Sequence, residues 1–205
     1  SPMRHHALRA CSILCLVLVV GPAWADAPRR VTQADLLGRL IDVSRLCMPA
    51  TPGETPGLIS GITPIPTQAG EWRALARLEG PGAITRFWFD NCGGAIRIVV
   101  DGRQIVEMPL AELLSGQTEP FLPPLITVPA PTTSSATPVA CRGVSSYVPI
   151  GFKNGCEILV KDASSLFEIS HVRFDKRVEV EPFTVPLGDE AKTAAQRISK
   201  ALQSG

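Results

Sequence analysis

From Glu71 the chain alternates. Trp72, Ala74, Ala76 and Leu78 are separated by charged Arg73 and Arg77 and flanked by Glu71 and Glu79. A period of two puts successive side chains on opposite faces of a strand, so such a segment must bury one face against another layer. Gly80-Pro81-Gly82 turns the chain, and Ala83–Asp90 (AITRFWFD) is apolar on both faces, as a strand between two layers requires. Asn91, Gly93 and Gly94 turn it again. Ile96, Ile98 and Val100 then alternate into Asp101-Gly102, a two-residue hairpin signal, with Ile105–Met108 as the return strand. Further strands are expected over 145–152, 156–161 and 167–174. In the last, the apolar face passes from Phe167 and Ile169 to Val172 and Phe174, which predicts a β-bulge near Ser170–His171. The expected interior includes Leu75, Leu78, Phe87, Trp88, Ile98, Val100, Ile158 and Val160.

The longer helices are expected at the two ends. Thr32 and Asp35 form a capping-box pattern, and Leu36, Leu37, Leu40 and Ile41 share one face, which predicts a helix over 32–45. Ala191, Ala194, Ala195, Ile198 and Leu202 make one stripe over 189–202, with a single helical turn or two at 110–114. Residues 48–70 hold Pro49, Pro52, Pro56, Pro64 and Pro66 with four glycines, and read as an irregular connection. Residues 115–143 read as a long Pro/Thr/Ser loop. The chain thus divides into 1–25, a signal peptide; 26–70, helix and Pro/Gly-rich connection; 71–182, the sandwich; and 183–205, the C-terminal helix. The fold class is all-β: an antiparallel, jelly-roll-like β-sandwich with flanking N- and C-terminal helices. The 19 prolines in 205 residues disfavour an all-helical alternative.

The secretory signal rests on Arg4 to Arg9, the apolar run Cys11–Val20 and Ala23-Trp24-Ala25, which predict cleavage after Ala25. The ten-residue run is too short to span a bilayer comfortably. The mature chain is therefore expected to be secreted or periplasmic, with no membrane association. It has 180 residues, 18 basic and 19 acidic, and four cysteines: Cys47, Cys92, Cys141 and Cys156. Two disulfides in any of three connectivities, or one disulfide with buried thiols, fit equally. The near-zero charge, with basic residues dispersed, excludes a nucleic-acid footprint. With His171 as the only mature histidine, no zinc site and no cofactor are expected.

For catalysis the residues offer little. His171 lies inside a strand with no nucleophile elbow near it, and reads as a satisfied structural histidine. Glycoside hydrolysis needs two carboxyls facing a sugar. Glu71, Glu79, Asp90, Asp101, Glu107, Glu157, Glu168 and Asp175 lie on or beside strands, but alternation places most on the solvated face and singles out no pair.

The run Leu78-Glu79-Gly80-Pro81-Gly82-Ala83-Ile84-Thr85-Arg86-Phe87-Trp88-Phe89, preceded by Glu71-Trp72, carries a resemblance. It continues through Ile96-Arg97-Ile98, Asp101-Gly102, Val106–Leu110 and Tyr147–Lys153. Together, over roughly residues 32–175, these resemble the N-terminal half of the domain-of-unknown-function 2961 family, glycoside hydrolase family 172. The resemblance implies two jelly-roll sandwiches in tandem, retaining hydrolysis or transfer of fructofuranosyl or related groups, and a homo-oligomer. The family's catalytic glutamates belong to a Glu-Gly-x-Asp motif and a Gly-Thr-Glu-Asp-Tyr motif in its second half, and neither occurs here. Glu79-Gly80 belongs to the earlier Leu-Glu-Gly-Pro-Gly turn. The family's Ser-Ser-Tyr-Asp-Arg segment is replaced by the Pro/Gly stretch 48–70, and Ile150-Gly151 stand where Met-Pro is usual.

The reading is a secreted single-sandwich relative, or a truncated N-terminal half, of a furanoside-acting hydrolase. It is expected to be non-catalytic alone and to serve as a carbohydrate-binding or assembly module. The rival is an active glycoside hydrolase using a carboxylate pair not identified here. No residue is assigned a catalytic role, and Trp88 and Tyr147 are the candidates to present a ring face to sugar.

Overall fold

The computed structural model describes residues 28–46, 51–64, 68–127 and 143–204. The expected signal segment, Cys47 and Cys141 lie outside the described residues. β1 (Arg30–Val31) leads into α1 (Gln33–Gly38), a 3-10 turn (Val43–Leu46) and β2 (Glu54–Ile62). β3 (Arg73–Glu79), β4 (Gly82–Phe89), β5 (Ala95–Val100) and β6 (Arg103–Pro109) follow, then α2 (Leu110–Leu113), β7 (Ile126–Thr127), β8 (Val144–Ser146) and β9 (Ile150–Phe152). β10 (Gly155–Lys161), β11 (Leu166–Phe174), β12 (Glu179–Val180) and α3 (Asp189–Gln203) complete the order.

Two antiparallel sheets face each other. The smaller runs β3-β10-β5-β6; the larger runs β2-β11-β4-β8-β7, with β9 also paired to β4. β1 and β12 form a short parallel pair. Between the sheets lie Phe87, Phe89, Ile98, Val100, Ile158 and Val160, all nearly or fully buried, and Leu75 is buried with them. Leu78 and Trp88 are only half-buried. Rings link the core to its flank: Phe87 lies 6.2 Å from Phe121, which lies 6.3 Å from Phe183. Each such buried ring contributes about 1.5–3 kcal/mol relative to exposure. The stripe of α3 buries Ala191, Ala194 and Ile198 into the same core.

Four expectations change. Residues 48–70 are not wholly irregular, and the sandwich does not begin at 71, because β2 forms there. It pairs with β11 without a break from Glu54↔Phe174 to Ile62↔Leu166. β2 is an edge strand, where Pro56 is tolerated and where exposure on both faces leaves no hydrophobic period to read. The first helix is cut to Gln33–Gly38, since Gly38 is a poor helix former. Its capping box forms as expected: Thr32 Oγ1 accepts from the Asp35 N–H at 3.1 Å and Asp35 accepts from the Thr32 N–H at 2.9 Å.

The sheet irregularity does fall at Ser170/His171, but the extra residue is Thr85 on β4; β11 itself stays in register with β2. The apolar face of β11 shifts because two different layers cover it. Phe167 and Ile169 meet the second sheet, whereas Val172 and Phe174 pack with Val31, Leu36, Ala83 and Val180 around α1 and β1. A second bulge, at Leu75 opposite Ile158/Leu159, reverses the facing of the start of β3. Trp72 therefore turns outward, with the Arg97 guanidinium 4.2 Å and the Lys161 ammonium 5.1 Å from its ring.

Candidate binding site

α1, the 3-10 turn and the first residues of β2 close over one end of the larger sheet. At their meeting point stands Glu54, its side chain only 6% exposed. Three arginines from three preceding segments converge on it. Arg39, the C-cap of α1, binds it with both terminal nitrogens, at 3.0 Å to Oε1 and 3.2 Å to Oε2. Arg29 donates to Oε1 at 2.9 Å and Arg45 to Oε2 at 2.9 Å. Each oxygen thus accepts two charge-assisted hydrogen bonds, the strong class for a carboxylate. Burial pushes the Glu54 carboxyl up, but Arg39, Arg29 and Arg45 together pull it below the ordinary glutamate range. Arg39 is drawn below its usual value, by burial first and then by the neighbouring arginines, against the pull of Glu54.

Beside this node opens a cavity of about 350 Å³. Leu36, Leu40, Pro56, Pro149 and Val172 supply its apolar wall, and Arg39, Arg45, Thr51, Glu54, Thr85 and His171 its polar groups. Thr85 is the bulge residue of β4, its hydroxyl donating to the Ser170 carbonyl at 3.2 Å. His171 is not the satisfied histidine expected from its strand: its Nδ1 is buried with no hydrogen-bond partner. Burial chiefly, with Arg173 adding and the Ile169 backbone opposing, holds its imidazole below the usual range and favours the neutral ring. Its ring lies against Gly57 on β2, where a Cβ would collide with Nε2 and Cε1. Glycine is what lets the imidazole sit there.

The residues singled out by sequence do not assemble elsewhere. Trp88, opposite Ser145 and Glu168, and Tyr147, whose N–H donates to the Leu125 carbonyl at 2.7 Å, are both half-buried and neither lines this cavity. Glu71, Glu107, Glu157, Glu168 and Asp175 are paired with Arg73, Arg97, Arg77, Arg86 and Arg177. Asp90 accepts from the Ser165 hydroxyl and the Leu166 N–H, and Asp101 from the N–H groups of Lys153, Asn154 and Gly155. Glu79 stands exposed at the β3–β4 turn. Cys92 is disulfide-bonded, while Cys156 is a free buried thiol. Among the described residues no cluster of three or more His, Cys, Asp or Glu could hold a metal ion.

A family model for the GH172 first beta-sandwich domain matches residues 61–191. The chain belongs to this family. No curated protein sequence matches it. The match to the GH172 first sandwich takes in Thr85, Pro149, His171 and Val172, but begins after Arg29, Arg39, Arg45 and Glu54. Of the eleven residues lining the cavity, four thus lie within the matched span and seven before it. The arginines and Glu54 form no motif: Arg39 and Arg45 fall in the expected helix over 32–45 and Glu54 in the stretch expected to be irregular, and only the paired hydrogen-bonding of β2 to β11 brings them together.

Proposed function

We propose that the protein is an exported, non-catalytic module of a GH172-type glycoside hydrolase that takes carbohydrate in the cavity beside Glu54. The observation that carries this is the state of Glu54. A glycosidase acid must hold a proton near neutral pH, and a nucleophile must have a free oxygen. Glu54 is ionised, and both of its oxygens are filled by arginine. The surrounding wall instead offers what a sugar site uses: apolar surface for a ring face, and hydroxyl and guanidinium groups to fix its orientation. Export is supported by the Cys92 disulfide, which belongs to an oxidising compartment.

The test is a panel of fructofuranosides and arabinofuranosides, with a catalytically competent family member as positive control. No turnover above background is expected. Turnover abolished by changing one glutamate of this chain would overturn the proposal.

A further inference from the structure

A strand at the end of a sheet presents unpaired N–H and C=O groups, and soluble proteins shorten such edges or place charge on them. The edges of the smaller sheet, β3 and β6, carry Arg73, Arg77, Glu79, Arg103 and Glu107. The larger sheet ends on one side in β7, only two residues long. Its other edge, β2, is nine residues long, and no charged residue occurs between Glu54 and Glu71. Among the described residues no strand pairs with the outer side of β2.

The outward groups of β2 follow from its register. The Asp175 N–H donates to the Gly53 carbonyl and the Thr63 N–H to the Ser165 carbonyl, both at 2.8 Å, and the pairing between them is unbroken. Odd-numbered residues therefore bond to β11, while Leu58, Ser60 and Ile62 direct N–H and C=O outward. The side chains of these three lie on the face opposite Ile59, which packs against the core. Leu58 is 59% exposed and Ile62 72%, and Leu166, the β11 partner of Ile62, is exposed beside it. Pro56 and Pro64, which have no N–H, stand four residues to either side of Ser60.

We propose that β2 pairs with β2 of a second copy of this chain, antiparallel about a two-fold axis at Ser60, joining the two larger sheets into one. In that register Leu58 lies across from Ile62 of the second copy, and each outward residue exchanges both backbone hydrogen bonds with its counterpart. The neighbouring two-fold registers set one of these two side chains against proline and the other against serine. Ile59 lies across from Gly61 of the second copy, which has no side chain to obstruct it. No like charges meet, since the segment has none. Pairing along one edge is small beside the roughly 1,200–2,000 Å² of stable interfaces, so a reversible dimer dissociating on the order of 10–100 μM is expected.

Sedimentation velocity of the mature chain from about 1 to about 300 μM should pass from monomer to dimer and no further, because an isologous contact closes at two. Ser60→Cys tests the register. Residues facing across a hydrogen-bonded pair have Cα atoms about 5.5 Å apart, within disulfide range. Mild oxidation should therefore link Ser60→Cys chains covalently. Leu58→Cys, displaced from its own counterpart by four residues or about 13 Å along the strand, should stay unlinked. Leu58→Lys/Ile62→Lys sets lysine against lysine and should weaken the dimer at least about tenfold, whereas Leu58→Lys/Ile62→Glu sets lysine against glutamate and should restore it. Both positions are exposed, so thermal melting should show every variant folded. A chain that stays monomeric at about 300 μM, or forms species larger than a dimer, overturns the proposal. A dimer in which Leu58→Cys links as readily as Ser60→Cys, or which Leu58→Lys/Ile62→Lys leaves intact, overturns β2 as the contact. None of these outcomes bears on the carbohydrate reading, which rests on the cavity beside Glu54.

Discussion

Replacing Glu54 with glutamine should destabilise the fold more than any surface substitution. The glutamine keeps the shape and one acceptor oxygen, but its amide N–H groups face guanidinium donors and the compensating charge is gone. Breaking a buried ion pair by removing one partner costs about 3–5 kcal/mol. That figure applies in full only to Arg39, 17% exposed; Arg29 and Arg45, at 46% and 32%, are partly relieved by water. A loss of about 2–4 kcal/mol follows. With a urea slope of about 2 kcal/mol per molar, the midpoint should drop by about 1–2 M with the slope unchanged. The sign of the pH dependence is fixed by the depressed carboxyl. Its contribution is fully present above the unfolded glutamate pKa of about 4.3 and is lost as pH falls through the lower folded value. His171, also depressed, adds its own loss as pH falls below about 6.5, in wild type and variant alike. The difference between the two proteins therefore isolates Glu54: large at pH 7, shrinking below about pH 4. A variant as stable as wild type at neutral pH, or a difference that persists undiminished at low pH, would refute the reasoning.

Gly57→Ala should cost about 1–3 kcal/mol through the collision with the His171 ring, and His171→Ala in the same chain should recover most of it in a double-mutant cycle; additive losses would contradict the contact. Burial pushes the Cys156 thiol up to about 12, so in native protein at pH 8 it should resist alkylation, and it should react once the chain is unfolded; rapid native labelling would contradict its placement. N-terminal sequencing of exported material should begin at Asp26 or within a few residues of it, and an intact N-terminus recovered from cytoplasm would count against export.

The central strands were legible from sequence because each is covered on a defined face. Ile96, Ile98 and Val100 alternate since one side of β5 meets the core and the other meets water, and Asp101-Gly102 marks the turn where Asp101 adopts φ 50° and Gly102 φ 77°. The 78–89 run placed the chain in its family, and the capping pattern of Thr32 and Asp35 marked the N-cap of α1. What tertiary structure alone decided lies where local pattern has nothing to report. Trp72 faces outward because an extra residue at Leu75 flips the strand, and a bulge leaves no trace in the alternation until a partner strand sets the register. β2 exists because β11 offers it nine paired positions, although its own sequence of prolines, glycines and exposed apolar residues reads as loop. The cavity depends on that pairing: Arg29, Arg39, Arg45 and Glu54 carry no motif, and their meaning comes from burial of one carboxylate among three cations, which exists only once the edge strand is docked.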